Sequence, residues 1–266
     1  MTMPTPRRTA VLATVLAVVV AACAGDDPGS AVPTSTPSTA TSSPSPSSST
    51  SSRTADESGT STSPSASPGG GDCPTEDAVP PAGATDVSEA SADVDGDGAA
   101  DRVLAYRQGD GDRRVAVELA GGGTSSVDAS QSSIDGPAAL SVLGGVDLGG
   151  DGHTVLVITG GGASVVVVGL FQFVECALSQ VSLESGQPAE LPVGGSVTHA
   201  DGLECTDGTL IRLSAVSADG EDFSTTETRY RVDGNTLIEL GTEAATQATL
   251  EARYSTINCP GLERGL

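Results

Sequence analysis

A long segment rich in serine, threonine and proline limits folding to the C-terminal part of this chain of 266 residues. Residues 26–71 are more than half Ser or Thr, with scattered prolines and almost no large apolar side chains. Such a segment cannot bury enough apolar surface to offset the conformational entropy that ordering it would cost. We therefore expect a disordered tether here, followed by a folded domain over residues 72–260 and a short tail at 261–266.

The segment before the tether has the three parts of an export signal. Arg7 and Arg8 form a positive start, an apolar run over residues 9–22 follows, and Cys23 comes directly after two alanines. The apolar run, about 14 residues long, is shorter than the roughly 20 that a membrane-spanning helix requires. The sequence therefore predicts a signal peptide over residues 1–22.

A cysteine directly after small residues at this position resembles the lipobox of bacterial lipoproteins. The resemblance implies cleavage before Cys23, diacylglycerol on its thiol, and a protein anchored in the cell membrane that faces away from the cytoplasm. An ordinary secretory signal with an incidental cysteine is the alternative. The expected organisation is thus a signal peptide, a lipidated Cys23 with a tether up to residue 71, and one extracellular domain.

The charge of the chain excludes one class of partner. Lys and Arg together number 12 against 35 Asp and Glu, the formal net charge is −23, and every one of these cations is an arginine. So acidic a surface repels phosphate backbones and anionic headgroups. We therefore expect no nucleic acid partner. The expected partners are the membrane, through the lipid anchor, and an unidentified protein or cell-envelope component.

Four cysteines besides Cys23 lie in the predicted domain. In an exported protein an even number of cysteines indicates disulfides. Three connectivities are possible, and the sequence does not choose between them. We favour Cys73–Cys259, which would join the two ends of the domain, together with Cys176–Cys205. Free buried thiols are the alternative.

Short apolar runs separated by glycines predict a mainly β fold built from antiparallel sheets. The chain has three tyrosines, three phenylalanines and no tryptophan, so its core must consist of Val, Leu, Ile and Ala. Such residues favour strands where the β-branched ones cluster. The predicted strands cover residues 101–108, 114–119, 138–146, 154–159, 164–174, 177–183, 209–216, 223–232 and 237–240.

The C-terminal region has a different periodicity. Leu250, Tyr254 and Ile257 are spaced as on one face of a helix. We therefore predict a short helix over residues 245–256, which would be the one helical element of the domain.

Residues 93–101, with the sequence D-V-D-G-D-G-A-A-D, carry the clearest chemical pattern. Carboxylates at alternate positions of a tight loop can converge on one cation, and Ca²⁺ takes roughly six to eight oxygen ligands. The twelfth position, where an EF-hand has a bidentate Glu, is Leu104. An unoccupied turn rich in aspartate is the alternative to a calcium loop. The predicted ligands are four side chains and one carbonyl, from Asp93, Asp95, Asp97, Asp101 and Ala99.

A loop of this kind that runs directly into a strand resembles the FG-GAP or VCBS repeats of extracellular β-propellers, whose blades carry D-x-D-G-D-G-x-x-D before a strand. The resemblance implies calcium as a structural clip inside a β-sheet module. Because three blade lengths do not close a propeller, we expect open propeller-like or sandwich-like units. A possible weak second loop lies about 54 residues later, near one blade length. It keeps Asp147 and Asp151 but has Gly149 and Val155 in place of two carboxylates.

No motif identifies a reaction. The two histidines, His153 and His199, lie outside any H-E-x-x-H context, and the absence of lysine excludes the usual phosphate loop. We therefore expect a non-enzymatic binding or structural module at the cell surface, stabilised by calcium. An extracytoplasmic hydrolase with a carboxylate or histidine site that the spacing does not reveal is the main alternative, and a solute-binding lipoprotein is another.

Overall fold

The computed structural model describes residues 73–75, 79–109, 111–129, 140–247 and 249–262, all within one compact unit, Thr62–Leu266. Within these ranges the chain forms fifteen β-strands and one 3-10 turn, Ala252–Ser255, so the mainly β prediction is confirmed. The strands in chain order are β1 (Thr85–Ala92), β2 (Asp101–Gln108), β3 (Asp112–Glu118), β4 (Thr124–Asp128), β5 (Ser141–Val146), β6 (Thr154–Gly161), β7 (Val165–Val174), β8 (Ala177–Gln180), β9 (Ser182–Leu183), β10 (Glu190–Gly195), β11 (His199–Thr206), β12 (Thr209–Val216), β13 (Phe223–Asp233), β14 (Thr236–Gln247) and β15 (Ile257–Asn258).

The strands form two sheets. β1 to β4 make a four-stranded antiparallel sheet in chain order, and the remaining strands make a sheet with the order β5-β6-β7-β10-β11-β12-β13-β14-β9. β15 pairs with β11, and β8 pairs with β7. β8 and β9 are separated only by Val181, so the pairing returns from β14 through β9 and β8 to β7. The second sheet therefore curls into an irregular, partly closed barrel, in which β14 meets β9 over two residues only and from which β5 and β6 extend.

Two successive parts of the chain repeat the same arrangement. β1 to β4 and β5 to β8 are both four-stranded antiparallel meanders, and β6, β7 and β8 each begin about 53 residues after β2, β3 and β4. The first meander has the aspartate loop at residues 93–100 between its first two strands. The second meander has residues 147–153 in the same place.

The middle layer, β5 to β7, is buried on both faces. One face packs against the first sheet, where Val103 and Val117 meet Val157 and Phe171. This double burial explains why all eight residues of β6 are buried. The other face closes the interior of the barrel, which is lined by aliphatic side chains that include Leu156, Leu170, Leu191, Leu203, Leu210 and Leu237.

The two outermost faces are covered by segments near the ends of the domain. At one side, Val79 packs on Leu104 and Tyr106 of β2. At the other side, Tyr254 of the 3-10 turn is fully buried against β11 to β13, where it meets Leu213 and Phe223. Both outer faces therefore bury their apolar residues without a further sheet.

The helical element predicted near the C-terminus is present as a short 3-10 turn, Ala252–Ser255, and its predicted bounds, residues 245–256, are wrong. Strand β14 continues to Gln247, whose partner on β13 is Phe223, so the first part of residues 245–256 is paired backbone. Only Ala252–Ser255 turns, as a single 3-10 turn with Tyr254 on its buried side. The apolar spacing of Leu250, Tyr254 and Ile257 reflects an irregular segment that covers a sheet face.

The predicted formation of two disulfides is confirmed, but the favoured pairing is wrong. Cys73 bonds to Cys176 and Cys205 bonds to Cys259, with Cα–Cα distances of 5.3 Å and 4.5 Å. Cys73 lies beside the β7–β8 turn, and Cys205 on β11 lies beside the end of β15. The ends of the domain are therefore not joined to each other. Cys23 lies outside the described residues.

Candidate metal site

The loop between β1 and β2 folds around the side chains of its own aspartates. Asp93 Oδ2 accepts the N–H of Gly98 at 3.0 Å, and Asp95 Oδ1 accepts the N–H of Asp97 at 3.2 Å. Gly96 and Gly98 adopt φ of 73° and 88°, a left-handed conformation that favours glycine. The alternation of Asp and Gly in the sequence is therefore the pattern that this tight turn requires.

Asp101, the first residue of β2, is the buried member of the site. Its side chain accepts two backbone N–H groups, from Val94 at Oδ2 and from Ala120 at Oδ1, each at 2.8 Å. Burial raises the pKa of the Asp101 carboxyl, and the charges of Asp95 and Asp97 act in the same direction, whereas the two N–H donors oppose the rise. Asp101 therefore connects the loop to the β3–β4 turn.

Three carboxylates converge. Asp93, Asp95 and Asp101 each present an oxygen, and these oxygens all lie within 4.8 Å of one another. Within the described ranges this is the one group of three or more acidic, His or Cys side chains close enough to share an ion. Oδ1 of Asp93 is buried and has no hydrogen-bond partner. A buried carboxylate oxygen without a donor is a costly arrangement, and a cation would satisfy it.

The other two predicted ligands stand apart from this acidic trio, Asp93, Asp95 and Asp101. Asp97 is exposed, and its Oδ1 accepts the N–H of Ala99 at 2.7 Å, which shapes the turn. The carbonyl of Ala99 as a ligand stays a prediction. The trio supplies the hard oxygen donors that a divalent cation such as Ca²⁺ takes, and so it could bind a metal ion.

The second loop supports the first. His153 exchanges two hydrogen bonds with Asp93: the N–H of His153 donates to the Asp93 carbonyl at 2.7 Å, and the N–H of Asp93 donates to Nδ1 of His153 at 3.3 Å. A Cβ on Gly152 would lie 2.2 Å from the carbonyl oxygen of Val94, and one on Gly96 would lie 1.6 Å from that of Asp151. The backbones of the two loops are therefore in direct contact.

The carboxylates of the second loop do not form a comparable cluster. Asp147 and Asp151 are exposed, and Oδ1 of Asp147 accepts the N–H of Gly149 at 2.9 Å. Neither carboxylate belongs to the acidic trio. Their use as a weak second metal loop stays a prediction.

The second histidine, His199, lies far along the chain in a different cluster. Its Nε2 is 2.9 Å from Oδ2 of the buried Asp201, without the alignment of a hydrogen bond, and Nη2 of Arg212 is 3.4 Å from Oδ1 of the same carboxylate. His199 and Asp201 are two residues apart on one strand and so share a face. The cluster is an ion-pair network on β11 and β12.

Comparisons with family models, with curated proteins and with solved structures find no match to this chain. In the part of the chain that the structure describes, no helix is long and apolar enough to cross a membrane. The two disulfides indicate an oxidising, extracytoplasmic location.

Proposed function

We propose that this chain is a lipid-anchored cell-surface protein whose β-rich domain is a non-enzymatic binding or structural module stabilised by calcium. Cys23 supplies the anchor and residues 24–71 supply the tether. The observation that carries the calcium part is the buried, unpartnered Oδ1 of Asp93 beside the carboxylates of Asp95 and Asp101.

Calcium fits the acidic trio because every available donor is a hard oxygen. Ca²⁺ takes roughly six to eight oxygens in flexible geometry, and three carboxylates, the Ala99 carbonyl and water would together supply these ligands. The ion would also remove the repulsion among three close negative charges. Its structural effect would be to hold β1, the β2 start and the β3–β4 turn together, since Asp101 already contacts Ala120.

A structural module is favoured over a hydrolase by the positions of the two histidines. His153 is occupied with the backbone of Asp93, where Nδ1 is an acceptor, so its contacts are those of a packing residue. His199 lies within an ion-pair network rather than beside the acidic trio. The acids and histidines therefore do not converge on one catalytic arrangement among these residues.

The calcium proposal is tested by calorimetric titration of the mature chain carrying Cys23→Ser, after chelation. We expect one site of micromolar to sub-millimolar affinity. Saturation to about 100 times Kd should stabilise the fold by about 2.7 kcal/mol. Asp95→Ala should abolish both effects, whereas the matched Asp147→Ala in the second loop should keep them. If millimolar calcium produces no heat of binding and no rise in Tm, the site is rejected.

The anchor is tested separately, in cells. Cys23→Ser should move the protein from the membrane fraction to the medium, because acyl chains contribute about 0.8 kcal/mol per buried methylene and two chains hold a protein stably. Recovery of the variant in the membrane fraction would show that the protein is held there by something other than lipid on Cys23.

A further inference from the structure

Residues 73 and 74 are fastened to the domain before the chain reaches its first strand. Cys73 forms a disulfide with Cys176, the second residue of the two-residue turn between β7 and β8. The carbonyl of Pro74 accepts the N–H of Thr124, at the start of β4, at 3.1 Å. The point where the predicted tether enters the domain is therefore bonded covalently to the middle layer.

The chain between this point and the acidic trio is held by noncovalent contacts alone, which include the β1–β2 ladder and the hydrogen bond from the N–H of Val142 on β5 to Oγ of Ser88 at 3.1 Å. β1 lies at the edge of the first sheet, and its backbone ladder pairs only with β2. An edge strand has backbone hydrogen bonds to one neighbour only, so a pull on its free end is resisted by a single ladder. Asp93 follows directly after β1, so peeling this strand would pull on a residue of the trio.

We infer that the Cys73–Cys176 disulfide protects β1 and the aspartate loop from mechanical force, because it transmits tension from the tether directly to the β7–β8 turn. The inference rests on the proposed tether, because tension requires an anchored N-terminus. The bond spans 103 residues of sequence, and the chain inside it cannot be extended while the bond is closed. The loop residues 93–101 lie inside that span.

The second disulfide removes another part of the chain from the path of the force. Cys205–Cys259 closes a further 54 residues. Tension between residue 73 and the C-terminus then runs only through residues 177–204 and the residues after Cys259. That segment of about 28 residues spans roughly 95 Å when fully extended. The part of the domain between the two disulfides can therefore lengthen by at most about this much while both bonds hold.

The test is single-molecule force spectroscopy on the mature chain with Cys23→Ser, held at its N-terminus and its C-terminus. The variant Cys73→Ser with Cys176→Ser should show an early, low-force event as residues 74–92 peel away. These are about 19 residues, or roughly 65 Å. The matched variant Cys205→Ser with Cys259→Ser keeps the first bond and should lack this event.

The absence of the early event from both variants would overturn the inference, since β1 would then resist tension without the disulfide. If the first variant does not fold, the folded variant Cys205→Ser with Cys259→Ser is compared before and after reduction in the instrument, which then opens only Cys73–Cys176, with the same two outcomes. Measuring the unfolding force with and without calcium distinguishes the role of the disulfide from the proposed metal site. An early event whose force does not change with calcium would support protection by the disulfide and count against a calcium site at Asp93.

Discussion

Gly152 lies where the two aspartate loops touch, and the space there admits no side chain. A Cβ at this position would be 2.2 Å from the carbonyl oxygen of Val94, which is backbone and cannot rotate away. We expect Gly152→Ala to separate the loops and destabilise the domain by about 1–3 kcal/mol or more, as other overpacking substitutions do. Thermal unfolding should show a fall of several degrees in Tm, at about 2–4 °C per kcal/mol for a domain of this size.

Gly121 is the matched control at this scale. It lies in the exposed β3–β4 turn, its added Cβ would meet nothing within 4 Å, and its φ is outside the left-handed range. Gly121→Ala should therefore leave Tm unchanged or raise it slightly, because Ala reduces the freedom of the unfolded chain. Equal losses in the two variants would show that the close contact at Gly152 does not matter.

Part of the metal site could be predicted from the sequence, and part could not. The alternate spacing of Asp93 and Asp95, with Asp101 at the strand start, is a local pattern, so the convergence of these carboxylates could be predicted. The supporting role of His153 could not be. It lies 60 residues from Asp93 in sequence, and only the packing of two hairpins brings it there.

The short C-terminal 3-10 turn stabilises the domain through one buried side chain. Tyr254 is fully buried and fills the outer face of β11 to β13, beside Leu213 and Phe223. Tyr254→Ala should cost about 3–5 kcal/mol, the range for large aromatic truncations. Tyr254→Phe keeps the packing and loses only the hydroxyl that donates to Glu227 at 3.3 Å, so it should cost about 1 kcal/mol. Denaturant unfolding measures both, and equal losses would mean that the hydroxyl, not the ring, holds the turn.

Strand β14 is an exposed edge over most of its length. Only Thr236 and Leu237 pair with β9, and residues 239–246 are exposed. The edge carries Glu239 and Glu243, and a bulge leaves Leu240 as an extra residue. Charges and bulges of this kind prevent edge-to-edge association.

Removing the charges should expose that edge. We expect Glu239→Val with Glu243→Val to make the protein associate with itself, because the ladder could then accept another β14. Light scattering over a concentration series would detect this. Glu221→Val with Asp222→Val removes the same charge from a turn and should remain monomeric at the same concentrations. Association of both variants would assign the effect to net charge instead of the edge.

Sequence predicted those strands whose own residues favour extended structure, and missed those that depend on neighbours. Val115 and Val117 of β3 alternate with smaller or polar residues, and the pattern was sufficient. β1, with the sequence TDVSEASA, has few β-branched apolar residues, and it is a strand because β2 pairs with it. The helix predicted over residues 245–256 is wrong at its start because the chain up to Gln247 pairs with β13, and Leu250 and Tyr254 lie beyond that pairing, where they pack on a sheet face.

At the scale of the whole molecule, the disulfide pairing depends on the tertiary fold alone. Cys73 and Cys176 meet because the meander β5 to β8 packs against the meander β1 to β4, a contact that no local pattern encodes. Peptide mapping of the unreduced protein should recover Cys73–Cys176 and Cys205–Cys259. A recovered Cys73–Cys259 peptide would contradict this packing.

The two disulfides should be nearly equivalent at equilibrium, although one closes 103 residues and the other 54. Loop entropy grows only with the logarithm of loop length, so each bond contributes at most about 4–5 kcal/mol and the two differ by roughly 0.5 kcal/mol. Unfolding of the two paired Cys→Ser variants in denaturant should therefore give losses within about 1 kcal/mol of each other. Under tension the same variants should differ, because only Cys73–Cys176 stands between the tether and β1. A large equilibrium difference would instead mean that one of the bonds also maintains native packing, and any mechanical difference would then follow from stability rather than from the path of the force.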